Sequence, residues 1–557
     1  MIQPSAPLLR NLVFLLCLTF AWFAPRFGDR FFSAIERLGW RLAGRKTVAI
    51  VSLVLATIVI RLSLIWLIPP PVPRIEDEFS YLLAGDTYAH GRLTNLTHPL
   101  WVFFDTIHVN QHPTYMSKYP PAQGAVLALG EVLGSPWIGV ILSAGAMCGA
   151  IVWMLQGWLP PRWALLGGIL VMFQLGIFSY WMNSYWGGAV AAIGGALVAG
   201  AFPRIVRSWR ARDAGILGLG AFILANSRPF DGFFLCLPVF FVLFVRICRT
   251  RIPSWRVTLP RVVVSVCMVV APGGMFMAYY NWRVTGNALL MPYTVNERTY
   301  LPGTPLFSWQ QMKAPIHFAN PQFEELYSVF LRQPWAGSRV TGVSSAVRKM
   351  LKITVSSVHF FLWPALFVPV LALPWILRGR RVRLLVVLAA LGLAELMLVA
   401  WFQVHYLGPL TAIIFALPLQ GIRYLRLWRF RGRPVGIGVS RVVVMFVALL
   451  APFGPGNSRL KIEKPSGIGY RLLFARQLDK TPGKHLVIVR YSPNHDVKLH
   501  EWVYNSADID NSRVVWAREI PGLDLQPLLD YFRGRQIWVA EPDASPPRLT
   551  RQDTVAP

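Results

Sequence analysis

Long apolar runs separated by polar gaps organise this chain. Runs at 9–25, 48–69, 137–157, 162–180, 186–203, 214–227, 230–247, 261–280, 358–378, 382–402, 407–424 and 437–454 approach the length needed to cross hydrocarbon. That length is about 20 apolar residues, so the pattern predicts about 11–12 transmembrane helices. The pair within 214–247 is short, and Ser227-Arg228-Pro229-Phe230-Asp231-Gly232 joins its members. The gaps differ in kind. Arginines crowd the stretches 26–46, 204–212, 246–261, 378–383 and 423–433, whereas 70–136 and 281–357 are long and rich in acids and aromatics. Placing the arginine-rich gaps in the cytoplasm puts the long gaps, and the tail 456–557, on the other side. In the tail, His485 to Tyr491 and Gln536 to Pro542 read as strands and Leu525 to Phe532 as a helix, which predicts a small α/β domain. The expected divisions are 1–47, a hydrophobic helix and basic cytoplasmic segment; 48–455, the membrane domain with its external loops; and 456–557, a periplasmic C-terminal domain.

Composition sharpens this picture. With 54% hydrophobic and 15% charged residues and a mean hydropathy of +0.46, the chain is too apolar for a soluble enzyme of 557 residues. The net charge of +29 could signal nucleic-acid binding, but its confinement to short gaps makes it a topology signal. The five cysteines lie in or beside apolar runs without a CxxC pair, so neither a disulfide framework nor a zinc site is expected. The first run has only Arg10 before it and no A-x-A-like cleavage site after it, and reads as a retained helix.

Candidate chemistry begins just beyond the second run. Pro70, Pro71 and Pro73 end that run, and Glu76, Asp77 and Glu78 then occupy the first turn of a new helix, where the dipole favours negative charge. A cap alone would account for some of these acids, but three exceed what a cap requires. Helical spacing brings Asp77, Tyr81 and Tyr88 near one face. Further along the same loop stands Lys118-Tyr119-Pro120-Pro121, a lone cation in an aromatic and proline setting.

The order Asp77-Glu78-Phe79-Ser80-Tyr81, then Lys118-Tyr119-Pro120, in the first external loop of a polytopic chain resembles the GT-C glycosyltransferases, especially bacterial relatives of protein O-mannosyltransferases and aminoarabinose transferases. Ser227-Arg228-Pro229 between two short helices and His405-Tyr406-Leu407-Gly408-Pro409 at the end of a late run fit the same layout. Glu76 is an additional acid, and His90, His98, His108 and His112 match nothing in the family pattern.

The resemblance implies inverting transfer of a sugar from a polyprenyl-phosphate carrier to an acceptor protein, lipid or glycan, without a nucleotide, in a bacterial inner membrane. Such a reaction needs a carboxylate for the acceptor's proton and cations for the departing phosphate. Asp77 is the expected base, with Glu78 orienting the acceptor or making a structural hydrogen bond. Lys118 and Arg228 are expected at the donor phosphate, aided by His405 and Tyr406, while Tyr81 and Glu76 orient substrate. No cofactor is required and no metal ligand is assigned, with a divalent ion left open: His108 and His112 have i, i+4 spacing but Pro113 follows at once. Asp508-Ile509-Asp510 matches a metal-holding D-x-D element but reads better as turn acids. The aromatic run Tyr180 to Val190 suits either a sugar-facing loop or an interfacial belt. Two other functions remain open, a flippase for lipid-linked sugars and a non-catalytic envelope assembly protein.

Overall fold

A computed structural model describes residues 6–249, 253–300, 306–310, 323, 339–362, 365–453, 468–493, 495 and 501–552. Parts of the loop 281–357 and the start of the tail therefore lie outside the described residues. Among those described, seven helices are long and apolar enough to cross a membrane: Lys46–Ser63, Pro136–Trp158, Ala189–Ser208, Pro229–Arg249, Trp255–Thr285, Val404–Leu427 and Val435–Phe453. Shorter apolar helices occupy Arg10–Phe23 and Pro161–Ile177. The chain is a polytopic α-helical membrane protein with a small C-terminal sheet domain.

Two predicted elements differ from expectation. The run 358–378 is not one helix: a helix covers Val343–Phe361, and two single turns follow at Phe367–Val370 and Leu373–Ile376. Pro369 and Pro374 remove backbone donors there and break a run that is apolar throughout. Conversely, the arginine-rich stretch after the first run contains a helix, Asp29–Gly44. It is amphipathic, and its acids hold it to the last membrane helices. Glu36 pairs with Arg426 at 2.7 Å and with Arg441 at 3.4 Å, and Asp29 pairs with Arg441.

The centre of the membrane region is the helix Ala189–Ser208, whose run of Ala and Gly lets neighbours approach closely. A Cβ on Gly195 would fall 1.8 Å from the Pro409 carbonyl oxygen. Gly at this position therefore permits the tight turn Val404–Leu410 to lie against the helix, and that turn carries His405 and Tyr406. A second irregular segment precedes the same helix. The helix from Pro161 loosens into a π-turn over Met172–Ile177 and then opens into a buried loop through Gly188. Asn183 in this loop accepts a hydrogen bond at 2.9 Å from Arg61, a buried arginine in the second apolar helix. Arg61 also donates to the Pro69 carbonyl and lies over the Trp137 ring at 4.5 Å. Most of the aromatic run 180–190 is interior, and Trp181 is 1% exposed.

The tail folds as expected in kind. Strands Val514–Arg518, His485–Val489 and Gln536–Glu541 pair in parallel in that spatial order, and Arg548–Arg551 closes one edge antiparallel. The helix Gln526–Tyr531 packs on this sheet through Leu528. The tail rests on the first loop: Phe79 stacks on Tyr504 with centroids 4.0 Å apart, Ala507 N–H donates to Asp86 at 2.7 Å, and His98 contacts Asp510 at 3.1 Å. Loop residues 281–300 meet the same surface, through Asn296 donating to Asn110 at 3.0 Å and Tyr300 donating to Asp105 at 2.5 Å. The described parts of the three segments expected on one side therefore pack together.

Candidate active site

The acids of the first loop open the helix Glu76–Ala89, just after the proline-rich stretch 69–73. They do not share a role. Glu78 is 1% exposed, and both its oxygens are taken up by backbone. Oε2 accepts from the N–H groups of Arg74 at 2.7 Å and Ile75 at 3.3 Å, and Oε1 accepts from Tyr185 N–H at 2.9 Å. It closes the helix start and fastens it to the buried 178–188 loop. Glu76 turns the other way and lies near the Tyr504 hydroxyl of the tail. Asp77 is the most exposed of the three, with its side chain 25% exposed, and polar groups from other segments converge on it in a shallow cleft.

Local pairing brings the other groups to Asp77. A two-residue ribbon, Val109–Asn110 with Met116–Ser117, is pinned to the acidic helix by Ser80, whose hydroxyl contacts His108 O and Ser117 Oγ, both at 2.7 Å. Ser80 lies one turn beyond Asp77, so the residues flanking the ribbon reach the carboxylate. Tyr119 donates its hydroxyl proton to Asp77 Oδ1, and His108 Nε2 stands 3.9 Å from the same oxygen. His108 adopts φ 63°, a strained conformation for a side-chain-bearing residue. Its buried Nδ1 has no hydrogen-bond partner among the described residues.

Two cations complete the cleft. Lys118 is 4% exposed, with Nζ 3.8 Å from Glu297 Oε1 and 5.4 and 5.1 Å from the ring centres of Tyr119 and Tyr293. Arg228 ends the helix Ala211–Ser227, where Pro229 starts the next. Its guanidinium lies 4.6 Å over the Tyr406 ring. Tyr81 stacks on Tyr119 at 4.5 Å. The expected residues Asp77, Tyr81, Lys118, Arg228 and Tyr406 thus share one neighbourhood. His405 lies deeper, 3% exposed, with its ring 4.6 Å from that of Trp186 and Nδ1 3.4 Å from the Tyr180 hydroxyl. Tyr88 is directed away and donates to Tyr280 at 2.9 Å.

The electrostatics follow from this packing. Burial raises the Asp77 carboxyl above the ordinary carboxylate range, and the Tyr119 hydrogen bond, Lys118 and Arg228 oppose it. Burial lowers the Lys118 ammonium, against Glu297 and Asp77. Burial and the charge of Lys118 push His108 well below its usual value, so its imidazole is neutral. Tyr119 is pushed well up, first by burial and then by Asp77, and stays a proton donor.

Several solved structures resemble the chain, two of them as follows. The oligosaccharyltransferase of Archaeoglobus fulgidus, solved with a tethered acceptor peptide, aligns with 79% of this chain at 11% identity and a TM-score of 0.43. This chain spans 61% of that protein's length. ArnT of Cupriavidus metallidurans aligns with 89% of this chain and 92% of its own at 13% identity and a TM-score of 0.42. Identities and scores this low assign no chemistry. No family model matches the chain, and no curated protein does.

The cleft joins a desolvated carboxylate, a tyrosine donor, two cations and stacked aromatic rings. That set can accept a proton, stabilise a leaving phosphate and hold a sugar face. Glu297, Tyr293 and His108 have no assigned place in the sequence reading. His108 stood out only by its spacing from His112, and nothing marks out Glu297 or Tyr293 before the fold brings them to Lys118. Tyr119 stood inside the lysine motif, and its polar end beside a cation was the available signal. Asp508 and Asp510 are turn and contact residues: Asp508 accepts from Asn511 at 3.1 Å, and Asp510 faces His98. His112 packs edge-on against Trp101 rather than joining His108 at Asp77.

Proposed function

We propose that this chain is an inverting membrane glycosyltransferase that uses a polyprenyl-phosphate sugar and serves an acceptor on the periplasmic face. The observation that carries the reading is Asp77, oriented by Tyr119 and flanked by Lys118 and Arg228 in one cleft. In the proposed reaction the acceptor hydroxyl attacks the anomeric carbon, and its proton passes to Asp77. The bond from that carbon to the phosphate oxygen breaks as the new one forms, and polyprenyl phosphate leaves with the electron pair. Lys118 and Arg228 offset the charge that gathers on the phosphate. Tyr81 backs the Tyr119 ring by stacking on it, Tyr119 offers an aromatic surface to the sugar, and the apolar helices give the prenyl tail hydrocarbon surroundings. No nucleotide enters.

The test is purified protein in lipid with a labelled polyprenyl-phosphate sugar, together with mass spectrometry of envelope glycans and lipids from cells with and without the chain. Sugar transfer with release of free polyprenyl phosphate supports the proposal. Movement of intact donor across the bilayer without its consumption would identify a flippase instead, and neither event would leave an assembly role.

A further inference from the structure

The far end of the acidic helix carries a second cluster, away from the cleft. Asp86 and His90 follow one another by one turn, and Glu131 lies on the adjoining helix Pro121–Val132. The helices meet closely because a Cβ on Gly124 would fall 2.6 Å from that of Ala84, and one on Gly85 would fall 3.0 Å from that of Leu127. This approach brings one ligand atom from each of Asp86, His90 and Glu131 within 4.8 Å of the others. His90 Nδ1 is 2.9 Å from Asp86 Oδ1 and 2.9 Å from the Asp86 carbonyl oxygen.

The local electrostatics favour a cation. Asp86 and Glu131 occupy the last turns of their helices, where exposed carbonyls already concentrate negative charge and a carboxylate is disfavoured. The two acids also repel one another, and Asp508 of the tail lies near His90. His90 and Arg92 are the basic groups beside them. We propose that Asp86, His90 and Glu131 bind a divalent transition-metal ion of the Zn²⁺ class, at a site separate from the Asp77 cleft. One imidazole nitrogen with two carboxylates is a zinc-type donor set, whereas Ca²⁺ and Mg²⁺ favour oxygen alone.

The position gives such an ion a structural use. Asp86 Oδ2 accepts the Ala507 N–H of the tail at 2.7 Å while Oδ1 faces His90. An ion on this carboxylate would join the acidic helix, its neighbour and the tail at one point. Thirteen residues of helix rise, about 20 Å, separate His90 from Asp77, so the site has no part in proton transfer.

The experiment uses full-length protein, stripped with chelator and titrated with ZnCl₂ alone by calorimetry, with melting temperature followed in parallel. Wild type should bind one equivalent and melt higher when loaded. His90→Ala and Glu131→Gln should each weaken binding at least about tenfold and abolish the melting shift. His90 is 62% exposed in its side chain, so its loss should not prevent folding of the metal-free protein. Failure of wild type to bind Zn²⁺ overturns the proposal. So does unchanged affinity in either variant, because the ion would then sit on other histidines or acids.

Discussion

Replacing Asp77 by Asn should remove most of the activity while leaving stability nearly unchanged. The proposed base loses its proton-accepting charge, which costs about 10²–10⁴ in rate, or about 2.7–5.4 kcal/mol of transition-state stabilisation. The structural cost is much smaller, because Asn Oδ1 can still accept the Tyr119 hydroxyl. A charge-assisted hydrogen bond becomes a neutral one, worth about 1 kcal/mol less. The opposing effect comes from burial. A carboxyl raised above its unfolded value binds its proton more tightly in the folded state, so ionised Asp77 destabilises the fold at neutral pH. Asn removes that penalty, and the net change should stay within about 1 kcal/mol of zero. Transfer is measured with labelled donor at equal protein, and stability by thermal melting in the same detergent. Wild-type turnover in Asp77→Asn would refute the base assignment. Loss of turnover together with a large fall in melting temperature would refute the claim that Asp77 is spared structural duty.

Lys118→Ala should reduce turnover about tenfold to a hundredfold, most clearly at low donor concentration, and Arg228→Ala should act the same way, as loss of a charge-assisted phosphate contact predicts; steady-state kinetics against donor concentration checks both. Glu78→Ala removes the acceptor of two backbone N–H groups at the helix start and of Tyr185 N–H in the buried loop, and should cost about 2–4 kcal/mol of stability, read as a lowered melting temperature, with lost activity following lost fold. Burial raises Asp105 from 3.8 to about 6, so its folded state favours the proton. Its contribution to stability is greatest below about pH 4 and declines as pH rises to about 6, by at most about 3 kcal/mol. Asp105→Asn should therefore stabilise the protein above pH 6 and leave it unchanged below pH 4 in melting curves across that range.

The membrane helices were legible because an uninterrupted apolar run has few other uses. The exceptions show the limit of that signal. Pro369 and Pro374 sit in a run apolar enough to span, yet break it, while Asp29–Gly44 hides in an arginine-rich gap because its apolar positions are dispersed over helical turns. The cleft was legible as single charges near a membrane boundary, namely Asp77, Lys118 and Arg228. Their association was not, since Arg228 lies some 150 residues along the chain from Asp77 and only the packed helices bring them together. Helical spacing separated Glu78 from Asp77 but left open whether Glu78 orients the acceptor or makes a structural hydrogen bond. What distinguishes them is the Tyr185 N–H, supplied by a loop over 100 residues away.

Arg61 bears on how the chain is made. A permanent charge in an apolar segment opposes insertion by about 2.5–3.5 kcal/mol at a helix centre and less near an end, where Arg61 stands. Its side-chain acceptor, Asn183, is synthesised 122 residues later, and the Trp137 ring also comes afterwards. Until those partners are made, Arg61 in the segment Lys46–Ser63 should turn to water and headgroups, and its final packing should form only when the later loop is delivered. A truncated nascent chain ending before Trp137 should expose Arg61 to the bilayer surface, which makes insertion of this early segment depend on residues far downstream.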